Sequence, residues 1–151
     1  MQTADIIASG RDVPVQPTAE LRERSFGQWE GFTYMEIQDR DPEGYDEWRR
    51  GGAQFTPPGG ERVSDVQERV LRLTSRLMDT HPGDDTVLLL GHGGSLRDLA
   101  VCVLGLPLES RQRLALANAS LSVIDVKSGS ATLHLWNDVS HWQGKVPSDD
   151  P

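Results

Sequence analysis

A short apolar run that breaks without a spacer into glycines and a histidine sets the strongest constraint on this chain. Val87-Leu88-Leu89-Leu90 leads directly into Gly91-His92-Gly93-Gly94-Ser95-Leu96, and a helical stretch follows through Leu104. The apolar character of Thr86 to Leu90 predicts a strand covered on both faces, as in the middle of a parallel or mixed sheet. The glycines predict a tight turn onto a helix N-terminus. Backbone N–H groups there are unpaired and partly positive, so the junction suits an anion, with His92 as an added donor or cation. The same pattern also fits a turn whose histidine merely caps the strand.

The remaining segments predict a single α/β domain over residues 1–142, with a polar, frayed tail over 143–151. Gln2 to Ser9 read as the last turns of a helix ending at Gly10. Thr33 and Glu36 have capping-box spacing at the start of a short helix, and a second short helix runs around Glu43 to Arg50. Pro57-Pro58-Gly59-Gly60 form a rigid break. Beyond it, Ser64 and Gln67 are spaced to cap the strongest helix, whose Val66, Val70, Leu73 and Leu77 form one apolar stripe that His81-Pro82-Gly83 stops. Ala119 to Val126 and Ala131 to Trp136 read as strands joined by the hairpin signal Lys127-Ser128-Gly129-Ser130. Leu88, Leu90, Leu96, Leu99, Val103, Leu121, Val123, Leu133 and Leu135 are expected to join the helix stripe in the core.

Charge and composition narrow the function classes. In 151 residues, 15 basic against 23 acidic side chains give a net charge of −8, which opposes binding to a nucleic acid backbone. No apolar run approaches the ~20 residues of a membrane span, and no basic-plus-apolar leader stands at the start. The single cysteine, Cys102, fits a core position and a reducing, cytoplasmic compartment. Metal binding is not expected, because His81, His92, His134 and His141 lack ligand spacing. An esterase reading of His-Gly-Gly fails for want of a Gly-x-Ser-x-Gly elbow.

A second dense segment is Leu21-Arg22-Glu23-Arg24-Ser25-Phe26-Gly27-Gln28-Trp29-Glu30-Gly31. Glu23 stands among arginines, glycines and aromatic rings, a setting that suits acid–base catalysis, with burial raising its pKa and cations lowering it. An alternative is a solvated loop whose aromatic rings pin it to the core. Arg49 and Arg50 are equally open: they are placed to grip a carboxylate or phosphate, or to complement a helix dipole.

Together these segments resemble the histidine phosphatase, or phosphoglycerate-mutase-like, superfamily over nearly the whole chain. Gln2-Thr3-Ala4 resembles the end of its Arg-Ala-x-Gln-Thr-Ala helix. The Leu21–Gly31 segment resembles the stretch carrying its acidic residue. Pro58-Gly59-Gly60-Glu61 with Arg69-Val70 is similar to its Gly-Glu-Ser helix entry, although Arg62 stands where serine is usual. Gly91-His92-Gly93-Gly94 is similar to its second-histidine motif. Leu104-Gly105-Leu106-Pro107, Asn118-Ala119-Ser120 and Asn137 follow in the family's order.

The resemblance implies a three-layer α/β sandwich with a mostly parallel central sheet, and metal- and cofactor-free phosphoryl transfer through a phosphohistidine. His92 would be the second active-site histidine, Gly93 a phosphate-binding N–H, Glu23 the proton donor and Arg24 a substrate-side cation. The expected substrate is a small phosphorylated metabolite, and the pattern is nearest to broad-specificity and alpha-ribazole phosphatase-like members. The nucleophilic histidine belongs to an Arg-His-Gly motif that this sequence does not contain. The expectation is therefore a domain without its first strand-helix-strand unit, through a late start or a truncated gene. It would be inactive alone and would associate into a homo-oligomer through the exposed sheet edge. Two other readings stand beside it. One is mutase-type transfer, since Trp48-Arg49-Arg50-Gly51 with Pro57-Pro58 resembles a substrate-binding stretch of the mutases. The other is a non-catalytic module for phosphorylated ligands.

Overall fold

Helices fill the first two-thirds of the chain and strands close it, in a computed structural model that describes residues 2–50, 55–81, 83, 85–127 and 129–142. Helix α1 (Gln2–Ala8) ends ahead of Gly10, which takes φ +74°, the left-handed value that favours glycine. Helix α2 (Tyr34–Arg40) has the expected capping box, with the Glu36 carboxylate accepting the Thr33 N–H at 2.8 Å and the Thr33 hydroxyl accepting the Glu36 N–H at 3.3 Å. Asp41 caps α3 (Pro42–Arg49) by accepting the Gly44 N–H at 3.0 Å.

Helix α4 (Val63–Thr80) starts earlier than the Ser64–Gln67 spacing predicts. Its N-cap is Arg62, whose N–H donates to the Asp65 carboxylate at 3.2 Å. A carboxylate is a stronger acceptor at a helix start than the amide of Gln67. The earlier start also adds Val63 to the apolar stripe: Val63, Val66 and Val70 are fully buried and Leu73 nearly so. This face packs on α5 (Gly93–Val103), which contributes buried Ala100 and Val101. A second, aromatic core lies at the other end. Trp29 stacks on Phe55 at 5.0 Å between ring centres, Ile37 packs with them, and Phe26, Tyr45 and Trp48 border the cluster.

The sheet differs from the expectation of a mostly parallel, central one. Its only strands among the described residues are β1 (Leu121–Lys127) and β2 (Ser130–Asp138), an antiparallel hairpin with Lys127 opposite Ser130 and Ile124 opposite Leu133. Pairing is irregular beyond Val123, where Asn137 adopts φ +58° and its side chain accepts the Ala117 N–H at 2.7 Å. Thr86 to Leu90 joins no ladder, and Leu88 is 58% exposed. The physical reason is that a hairpin closes on its own chain neighbour, whereas a parallel strand requires a partner brought from elsewhere, and none of the described residues supplies one.

The same cause corrects the expected core. Leu77, Leu96, Leu99 and Val103 are half-buried, while Leu88, Leu90, Leu121, Val123, Leu133 and Leu135 are exposed. An open cleft of about 790 Å³ separates the helices from the hairpin, lined by Leu77, Leu89, Leu99, Val103, Ile124 and Val126 among others. Residues 51–54 and the tail 143–151, with Pro82 of the expected helix stop and Ser128 of the hairpin turn, lie outside the described residues.

One polar clamp joins the loop over residues 20–25 to α4. Arg69, 6% exposed, donates to the carbonyls of Glu20 at 2.6 Å and Glu23 at 3.3 Å, and its Nη2 also meets the Glu61 carboxylate at 3.3 Å. Glu61 accepts as well from Arg22 at 3.0 Å and from the Ser25 N–H at 3.0 Å. Burial alone would push the Glu61 carboxyl up. The Ser25 N–H, Arg22 and Arg69 outweigh burial and bring its pKa down to about 2.

Two stability tests follow from this packing. Val70→Ala is expected to cost about 1–3 kcal/mol in urea unfolding, against less than about 1 kcal/mol for Leu135→Ala, although sequence patterning ranks both as core. Because the folded Glu61 pKa lies below its ordinary 4.5, the folded chain binds fewer protons than the unfolded one, and stability should fall as pH drops from about 5 towards 2. Glu61→Gln should lower the urea midpoint at pH 7 and flatten that acid slope.

Candidate functional site

The loop between the 3-10 turns Ala19–Leu21 and Gly27–Trp29 meets the start of α5 although the two are far apart in sequence. The Glu23 carboxylate accepts the Gly94 N–H at 3.1 Å across 71 positions, and its other oxygen accepts the Arg24 N–H at 2.9 Å. A side chain at 94 would place its Cβ 2.3 Å from Glu23 Oε1, so only glycine admits the carboxylate here. The fully buried Ser95 hydroxyl fixes the docking by donating to the Leu21 carbonyl at 3.0 Å, and it accepts the His92 N–H at 3.4 Å.

This arrangement brings Glu23, His92 and Gly93 to one place. His92 is the N-cap of α5, exposed and in extended backbone, and Gly93 opens the helix half-buried. A negative carboxylate on a helix N-terminus is electrostatically favoured, which explains why Glu23 settles there. The Gly94 amide is taken by Glu23, and the Gly93 amide, with His92 at the N-cap beside it, forms a surface suited to a negatively charged oxygen.

Arg24 lies elsewhere in the network. It is 5% exposed, its Nε donates to the Glu61 carbonyl at 2.9 Å and its Nη2 to the Phe55 carbonyl at 2.7 Å. Burial and the nearby Arg111 charge lower its pKa, yet a guanidinium stays protonated at neutral pH. These bonds commit Arg24 to holding the Phe55–Glu61 strip beneath the loop. Arg49 and Arg50 are exposed at the end of α3, with the Arg50 Nε donating to the Asp46 carbonyl at 3.1 Å, and neither is hydrogen-bonded or ion-paired to Glu23 or His92.

The other histidines stand apart. His81 ends α4 and meets Asp85 at 3.3 Å, and His134 lies on β2 4.0 Å from Asp125. No group of three metal-ligating side chains occurs among the described residues. No described helix is long and apolar enough to cross a membrane.

Four residues around the site carry little signal in the sequence of what they bond to. Ser95 has one, since it stands three residues after His92, the distance at which a side chain reaches back to an N-cap. Glu61 and Arg69 stand in the stretch that resembles the family's helix entry, but nothing in the sequence shows that they pair, because a charge with nearly every bond satisfied inside the fold looks in sequence like any surface charge. Asp98 is similar. It is completely buried and held by Arg111 through two bonds of 2.7 and 3.2 Å, and burial pushes its carboxyl up against that pull.

The profile of the histidine phosphatase superfamily (branch 1) matches residues 1–139. The adenosylcobalamin/alpha-ribazole phosphatase of Salmonella typhimurium is 32% identical over 141 residues, covering 93% of this chain and 69% of that protein. Among solved structures, Bacillus stearothermophilus YhfR superposes with a TM-score of 0.83 at 34% identity, over 93% of this chain and 69% of its own. Mycobacterial glucosyl-3-phosphoglycerate phosphatase Rv2419c, in complex with inorganic phosphate, superposes with a TM-score of 0.80 at 28% identity, over 90% of this chain and 70% of its own. The chain thus spans about two-thirds of the length of these relatives. With a family profile running across both halves of the Glu23–His92 cluster, the chain belongs to the histidine phosphatase superfamily.

Proposed function

We propose that this chain carries the proton-donor and second-histidine half of a phosphomonoester hydrolase acting on small phosphorylated metabolites through a phosphohistidine. The observation that carries the reading is the Glu23–Gly94 bond, which sets a carboxyl group beside His92 at an anion-binding helix start. In this reading His92 and the Gly93 N–H hold the phosphoryl oxygens, where negative charge is greatest in the transferring group. Glu23, protonated, gives its proton to the departing alkoxide; ionised, it then takes a proton from the water that attacks the phosphohistidine.

The histidine that accepts the phosphoryl group is a different one from His92. Neither His81 nor His134 is hydrogen-bonded or ion-paired to Glu23, each lying beside an aspartate elsewhere. The 151-residue chain alone is accordingly expected to bind phosphate-like anions without turning over ester. Arg50 stands only a few residues before Pro57, where the mutases carry a longer insertion, and that short stretch favours the phosphatase reading over mutase-type transfer.

Orthovanadate titrated calorimetrically into the full chain is expected to bind, and His92→Ala to weaken it by roughly tenfold or more, the usual scale of a hydrogen bond to a charged group. Equal binding by the two proteins would overturn the site. Hydrolysis of p-nitrophenyl phosphate should not exceed that of His92→Ala, and clear turnover lost in that variant would overturn the half-site reading. Glu23→Gln removes a like charge from the anion's neighbourhood and should tighten orthovanadate by a few-fold.

A further inference from the structure

Arg97, half-buried, stands out among the arginines around this site. Arg24 donates to two main-chain carbonyls, Arg69 to Glu20, Glu23 and Glu61, and Arg111 to both oxygens of Asp98. Arg97 pairs with no carboxylate among the described residues, and its Nε is shut off from solvent without any hydrogen-bond partner. A desolvated charged donor with no acceptor is costly and is seldom retained without a reason.

Its position gives a reason. Arg97 lies four residues after Gly93 on α5, so its side chain runs back along the helix over the first turn. Its Nη2 would be 3.9 Å from a Cβ built on Gly93. The unpaired guanidinium therefore borders the amides that follow His92, on a helix whose N-terminus already attracts negative charge. The neighbouring carboxylates are committed elsewhere: Glu23 to the Gly94 and Arg24 N–H groups, Asp98 to Arg111, and Glu61 to Arg22 and Arg69.

We propose that Arg97 is a ligand-binding residue of this site, closing on the oxygens of a tetrahedral phosphoryl dianion held over Gly93. The inference rests on the phosphate-site reading above and adds the group that supplies its charge selectivity. A guanidinium gives forked donation to two oxygens of one phosphoryl group, which a planar monoanion such as formate matches less well in charge. His92 and the helix amides alone would discriminate between the two anions less strongly.

The test follows the Gly93 and Gly94 amide resonances of the full chain by NMR during titration with inorganic phosphate and, separately, with formate. Wild type should prefer phosphate. Arg97→Met keeps the apolar stem and is expected to weaken phosphate at least tenfold while leaving formate within about threefold. Arg97→Lys restores charge without the fork and should recover part of the loss. His92→Ala is measured alongside. If His92→Ala loses phosphate and Arg97→Met binds it as wild type does, with the same selectivity over formate, the role of Arg97 is overturned while the site stands. If phosphate leaves the wild-type Gly93 and Gly94 resonances unmoved, both the site and the role of Arg97 are overturned. Equal weakening of both anions in Arg97→Met, with shifts spread over α5, would assign Arg97 to structure and overturn its selectivity role.

Discussion

The clamp of Arg69 on Glu61 and on the carbonyls of Glu20 and Glu23 is the contact on which the site's geometry depends. A buried ion pair alone is weak evidence for stability, because removing two charges from water costs much of what their attraction returns. Here the balance is changed by the additional bonds: Arg22 and the Ser25 N–H reach the same carboxylate, and Arg69 also serves two main-chain carbonyls. The clamp's main consequence is specificity of placement. It holds a loop with little regular structure against α4 in one register, and Glu23 has a defined position because its own carbonyl is one of the groups held.

From that position the site assembles by short steps. Ser95 ties the first turn of α5 to the Leu21 carbonyl, Glu23 takes the Gly94 amide, and the glycine at 94 leaves room for it. Arg24 supports the arrangement from beneath by bonding the Phe55 and Glu61 carbonyls, while the aromatic cluster around Trp29 packs against the same strip. The loop reading that gave the aromatic rings a pinning duty and the reading that gave Glu23 a chemical setting are thus compatible. The rings fix the loop, and the fixed loop presents the carboxylate.

Local pattern made some of this legible. The Thr33–Glu36 cap, the stripe through Val66, Val70 and Leu73, the turn from Gly91 into α5, and the β1–β2 hairpin all depend on neighbours within a few residues, which sequence displays directly. Glu23 and His92 were legible as candidates because their residue types stand in glycine-rich, charged surroundings. That the Glu23 carboxylate meets the amide of Gly94, two residues past His92, was legible only through resemblance to a family, since no periodicity links positions 71 apart.

The sequence by itself determined the capped start of α2, which stripe of α4 is apolar, and that a glycine turn leads into a helix after residue 90. Each of these is set by hydrogen bonds and side-chain directions within a turn or two of the chain. Tertiary structure alone decided which charges are buried and what each one holds: Arg24 beneath the loop, Arg69 and Glu61 in the clamp, Asp98 with Arg111, and Arg97 with an unpartnered Nε beside Gly93. It also decided that Thr86 to Leu90 joins no ladder among the described residues and that the apolar hairpin faces remain exposed. The reason is common to both outcomes: burial and strand pairing are relations between distant segments, and a residue's type fixes what it can bond to without fixing what arrives beside it.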